Sequence, residues 1–137
     1  MKNITSNRDR EIKFRGLRTD GQGWVYGSLN AYTDGKRIIT NTDGTQSWIV
    51  TPDTVGQFTG LKDKKNVEIY EADIITTETN KNMVIDWSVK FASFIIKRDD
   101  WAFSHWFGES CNSEDCTVIG NIIESIHLLA LNSDEDY

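Results

Sequence analysis

The stretch Val55–Ile75, VGQFTGLKDKKNVEIYEADII, decides the fold of this 137-residue chain. Val55, Phe58 and Leu61 set apolar anchors around Gly56 and Gly60. Lys62–Asn66 (KDKKN) is a charged run ending in Asn, a residue that tolerates a left-handed backbone and suits tight turns. Val67-Glu68-Ile69-Tyr70 is too short for a helix and β-branched enough for a strand. After the brief polar Glu71-Ala72-Asp73, Ile74-Ile75-Thr76-Thr77 reopens a β-prone run. The pattern is strand, charged turn, strand, then entry into a β-rich core. Glu68, Glu71 and Asp73 are a local carboxylate cluster with no His nearby. Catalysis or metal binding would need two or three of Glu68, Glu71, Asp73, Asp86 and His105 to meet in one pocket. Carboxylates beside turns are ordinarily solvated.

Working outward, short β-prone runs alternate with turn signals. Glu11–Arg15 alternates, with Ile12 and Phe14 on one face and Lys13 and Arg15 on a solvated one. With Trp24–Leu29 it reads as a hairpin across 12–29. Asp34-Gly35 and Asp43-Gly44 mark the next turns, and such spacing signals a meander or barrel. Asn41-Thr42-Asp43-Gly44 lacks the remaining ligands of a calcium loop. Pro52 after Thr51 suits one helical turn. Met83–Val89 and Phe91–Lys97 are strand-like. Trp101–Phe107 is an aromatic strand, expected in the core rather than as a base-stacking platform, because no Lys or Arg follows Arg98. Ser104 and His105, adjacent on a strand, would point to opposite faces and do not form a nucleophile–base pair. Gly108–Cys116 is an acidic loop. Thr117–Ile123 closes the β pattern, and Ile123, Ile126, Leu129 and Ala130 recur at helical spacing.

The central stretch resembles the core signature of the YopX-like family of phage and prophage proteins. Thr59-Gly60-Leu61-Lys62-Asp63, then Glu68-Ile69-Tyr70-Glu71 and Asp73-Ile74, carry the resemblance; members typically read like QYTGLKDKNGKEIYEGDIV here. Flanking matches are Arg10–Gly16 (REIKFRG) and Val118–Ile122 (VIGNI), so the resemblance spans about residues 10–131. Phe58 replaces the usual Tyr, Asn66-Val67 the common Asn-Gly, and Ala72 the usual Gly. A left-handed backbone at Ala72 would cost roughly 1 kcal/mol. The resemblance implies a phage or prophage context and brings no activity, so no functional residue is carried over from it.

The expected architecture is mainly β. An N-terminal hairpin meander (10–60) precedes a small SH3-like, partly open barrel with a short C-terminal helix (61–131), between flexible termini at 1–9 and 132–137. Fifteen aromatic residues make a core feasible at this length. The net charge is −6, unevenly placed: all fifteen Lys and Arg lie in residues 1–98, and residues 99–137 hold nine acids. Such polarity suits self-association, and net acidity is a poor basis for gripping phosphates. Residues 1–12 hold no apolar signal-peptide core, and no run approaches a membrane span. The host cell cytoplasm is therefore expected, with Cys111 and Cys116 as free thiols. Their spacing with His105 and His127 matches no structural zinc pattern.

No catalytic constellation is recognisable, and no cofactor, metal or membrane partner is expected. The expected function is that of a non-enzymatic phage or prophage accessory protein that binds a phage or host protein or assembles with copies of itself. The alternative is nucleic-acid association through the basic N-terminal segment, with Arg10, Lys13 and Arg15 as the binding residues.

Overall fold

A computed structural model describes residues 10–78, 81–108 and 111–129. The termini expected to be flexible lie outside them. Among these residues, eleven strands form two antiparallel sheets. The first comprises β1 (Phe14–Leu17), β2 (Trp24–Ala31), β3 (Arg37–Thr40), β4 (Ser47–Val50), β5 (Gly56–Lys62) and β6 (Glu68–Tyr70), in the order β4-β3-β2-β1-β5-β6. The second comprises β7 (Asp73–Thr76), β8 (Met83–Ser88), β9 (Ser93–Lys97), β10 (His105–Trp106) and β11 (Thr117–Asn121), in the order β10-β9-β8-β7-β11. Neither sheet closes into a barrel among the described residues, which is compatible with the partly open form expected. The changeover between sheets falls at Glu71–Ala72, whereas the expected division at 60/61 falls inside β5.

The turns follow the expected chemistry. Gly35 N–H bonds to the Tyr32 carbonyl while Asp34 Oδ1 accepts from Lys36 N–H at 2.9 Å. Asn41 Oδ1 accepts from the backbone N–H groups of Thr45 and Gln46, so the side chain builds the turn itself. Pro52–Thr54 is a 3-10 turn, and Thr54 Oγ1 accepts from Leu17 N–H at 2.9 Å. One bridge, Arg18 to Val50, brings β4 back against the end of β1. Gly16 and Gly27 permit this tight coiling: a Cβ on Gly27 would lie 1.8 Å from the Thr40 carbonyl oxygen, and one on Gly16 2.9 Å from Val50.

Two apolar clusters fill the interior. Val25, Ile39 and Val50 pack with Phe14, Leu29, Trp48 and Val55 inside the meander. Ile69, Ile75, Met83, Ile85, Ile96, Cys111 and Cys116 form the other, with Phe94, Trp101, Phe107 and Val118 against it. Ile69 comes from the first sheet, so the second cluster joins the two.

Two expectations about faces are corrected. Phe14 packs inside as expected, but Ile12 on the same reading is 58% exposed, and Arg15, read as solvated, is buried because Asp73 supplies it with an interior counter-charge. The aromatic run at 101–107 is strand only at His105–Trp106; Trp101 and Phe107 pack on the core, while Phe103 (82%) and Trp106 (49%) are exposed. Of the expected C-terminal helix, residues 127–129 form a helical turn and residues 124–126 do not; its last two residues lie outside the described ones.

Candidate functional site

Three features concentrate chemistry: a buried ionic junction between the sheets, the outer face of the second sheet, and a cleft beside the two cysteines.

The junction is built from the central stretch. Arg15 on β1 reaches across to β7, where its Nη1 lies 2.8 Å from Asp73 Oδ1, and its Nη2 donates to the Glu71 carbonyl. The guanidinium is sandwiched by Trp24 (4.9 Å) and Tyr70 (5.0 Å), where ring faces stabilise a cation removed from water. Asp73 Oδ2 accepts from Tyr70 N–H at 2.7 Å. Burial raises the Asp73 pKa, and the Arg15 charge and the Tyr70 N–H only partly offset it. Beside this pair, Lys13 Nζ bonds Glu68, which also accepts from the Tyr70 hydroxyl at 3.1 Å. Burial alone would lower the Lys13 pKa, but Glu68 and Glu11 raise it overall.

The KDKKN turn holds a second buried anion. Asp63 Oδ1 accepts from Lys65 N–H (2.8 Å) and Val67 N–H (2.9 Å), and its Oδ2 accepts from Val118 N–H of β11 (2.9 Å). Burial opposes its charge, yet these donors hold the Asp63 carboxyl below the ordinary value. Asn66 adopts φ 67, as its residue type allows. Ala72 adopts φ 78, a left-handed backbone that a glycine would adopt without strain.

Of the five residues nominated for acid–base chemistry, Glu68 and Asp73 share a cleft of about 280 Å³ with Arg15, Tyr26 and Tyr70. The cleft therefore unites two carboxylates, each already held by a cation and by a Tyr70 group. Glu71 is elsewhere: its Oε1 accepts from Gln57 N–H, and burial raises its pKa. Asp86 pairs with Lys97 at 2.6 Å, and exposed His105 lies edge-on to Trp101 at 4.3 Å. Among the described residues, no group of three or more His, Cys, Asp or Glu is placed to hold a metal ion. Nor is any helix long and apolar enough to cross a membrane.

The residues named for nucleic acid are not brought together as a free basic surface. Arg10 is exposed, Lys13 is half-buried against Glu68 and Glu11, and Arg15 is buried against Asp73. Two of the three charges are thus neutralised inside the protein.

The outer face of the second sheet was missed by sequence reasoning. Cross-strand register places Asp86, Ile95 and Trp106 in one rank over β8, β9 and β10. At the hairpin tip, Phe91 meets Trp106 edge-to-face at 6.1 Å. Farther along, Val84, Ile122, Ile126 and Leu129 line an apolar groove of about 420 Å³, with Asp86 and Lys97 beside them. Phe91 and Ile126 are 56% and 64% exposed. The helical spacing of Ile126 and Leu129 was the available signal, but it did not say which surface they would line.

A family model described as YopX protein matches residues 13–130. The crystal structure of protein EF1440 from Enterococcus faecalis is similar, with a TM-score of 0.51 and 23% identity, covering 88% of this chain and 99% of that one. This is a likeness of fold. No curated protein matches the chain.

Proposed function

The chain belongs to the YopX protein family, and from that premise we propose that it is a non-enzymatic phage or prophage accessory protein that binds a protein partner, copies of itself included. The observation that carries this reading is the outer face of the second sheet, where the Phe91–Trp106 pair and the groove bearing Ile126 expose apolar surface. Aromatic side chains are enriched at protein interfaces, and contiguous exposed apolar surface marks docking sites. β10 is also an edge strand, which offers backbone groups to an incoming strand. A nucleic-acid ligand is less well served. Lys90 stands over Phe91, but Lys97 and Arg98 are paired with Asp86 and Asp100. The ion-paired carboxylates at the sheet junction support a structural rather than a catalytic role for that cleft.

The test is light scattering after size exclusion, at low and high salt, together with affinity capture from host and phage-infected lysates. Trp106→Ser and Ile126→Lys are compared with the unaltered chain. Self-association or a captured protein that both substitutions abolish, without loss of folding, supports the reading. A chain that is monomeric throughout and captures nothing, or whose partner is indifferent to both substitutions, overturns it.

A further inference from the structure

Cys111 and Cys116 are both free thiols and both buried. They belong to one apolar cluster. The intervening segment folds them back into that cluster. Ser113–Asp115 is a 3-10 turn, with Asp115 N–H bonded to the Asn112 carbonyl and Cys116 N–H to that of Ser113, so the chain doubles back over four residues. The two sulfurs differ in access. Cys111 lines an open cleft of about 400 Å³ with Lys64, Glu78, Glu114 and Asp115, whereas Cys116 is fully buried and donates to the Ser113 carbonyl at 3.1 Å.

We propose that Cys111 and Cys116 form a peroxide-reactive dithiol site, in which Cys111 meets the oxidant in the cleft and Cys116 resolves it as an intramolecular disulfide. The neighbouring Cys116 side chain lowers the Cys111 pKa against the effect of burial, and the thiolate is the nucleophile. The Cys111 side chain, with burial, raises the Cys116 pKa and keeps it a thiol until its turn. The cleft lining carries three carboxylates against one lysine, which disfavours anionic oxidants such as oxidised glutathione and admits a neutral hydroperoxide.

The chemistry balances in two steps. The Cys111 thiolate attacks one oxygen of hydrogen peroxide; an S–O bond forms, the O–O bond breaks, and hydroxide leaves and takes up a proton. Cys116 sulfur then attacks the Cys111 sulfenic acid; the S–S bond forms, the S–O bond breaks, and the Cys116 proton leaves with the hydroxyl as water. Two thiols are oxidised and one peroxide is reduced to two waters. The resulting staple would close the loop whose Cys116 carbonyl accepts from Lys64 N–H at 3.0 Å, and so would stiffen the wall between the cleft and the Asp63 turn.

The full chain is titrated with hydrogen peroxide at neutral pH, followed by thiol counting and mass spectrometry of the 111–116 peptide. The expected result is joint loss of both thiols, a monomer lighter by two hydrogens, and reversal by dithiothreitol. Cys116→Ser should stop at a sulfenic acid that dimedone traps on Cys111. Cys111→Ser should slow oxidation of the remaining thiol about tenfold or more, since that thiol is fully buried. The proposal is overturned if the unaltered chain keeps both thiols under peroxide that oxidises free cysteine. Bridging between two chains, or over-oxidation of Cys111 with Cys116 still a thiol, overturns it equally. These outcomes are read on the unaltered chain, so they hold even if a Ser variant misfolds.

Discussion

Arg15 Nη1 lies 2.8 Å from Asp73 Oδ1, and this pair ties the central region of the first sheet to the first strand of the second. Removing one member of a buried pair leaves the other charge uncompensated. Arg15→Met is therefore expected to cost about 3–5 kcal/mol, measured by urea unfolding. The pH dependence has a definite sign. The folded-state pKa of Asp73 lies above its ordinary value of 3.8, so its contribution favours folding below that value and is lost as pH rises through the folded pKa. Without Arg15 that pKa climbs further, and the deficit of Arg15→Met should shrink as the medium is acidified.

Asp63 carries the opposite sign. Its folded pKa is depressed, so its stabilisation is present above the ordinary value of 3.8 and lost as pH falls through the folded pKa. Asp63→Asn exchanges an oxygen acceptor for an amide donor and leaves at least one of the Lys65, Val67 and Val118 N–H groups without its partner. The expected cost is about 1–3 kcal/mol at neutral pH. Denaturation curves across the acid range should show the variant and the unaltered chain converging at low pH.

Ala72 sits at φ 78 with both backbone groups engaged, its N–H on the Ile85 carbonyl and its carbonyl accepting from Ile122 N–H. The strain cannot relax without breaking links to β8 and to the segment after β11. Ala72→Gly should stabilise the protein by about 1 kcal/mol, because left-handed strain exceeds the entropy that glycine adds to the unfolded chain. A raised urea midpoint with unchanged slope is the readout, and a lowered midpoint would contradict the strain.

Gly27→Ala should act strongly in the other direction. The added methyl would meet the Thr40 backbone at 1.8 Å, where no side chain can yield. The expected loss is about 3 kcal/mol, seen as a lowered melting temperature. Gly35→Ala is the comparison: its Cβ meets nothing within 4 Å, so only its φ of 95 opposes the substitution.

The strands and turns were legible because Asp-Gly and Asn signals interrupt β-branched runs, and each encodes local geometry. The turn at Asp63–Val67 was visible for the same reason. The burial of Asp63 was not, since the donor that completes its site, Val118 N–H, lies 55 residues away. Arg15 misled for a related reason: alternation assigns a charge to the outer face unless a distant counter-ion brings it in, and Asp73 is such a counter-ion. The aromatic run at 101–107 showed hydrophobic payload without register, so Trp106 was placed inside, although a two-residue edge strand leaves it exposed.

The Asp63–Val118 clamp has a kinetic side. β11 also closes on β7, and Trp24 Nε1 bonds Glu124 across 100 residues. Early and central segments thus wait for late ones before their polar groups are satisfied. Loops this long must be closed before those contacts repay the entropy. Folding should accordingly take milliseconds to seconds, roughly the range of β-rich domains dominated by non-local contacts. On the ribosome, the junction between the sheets should mature only after the Thr117–Asn121 strand has emerged.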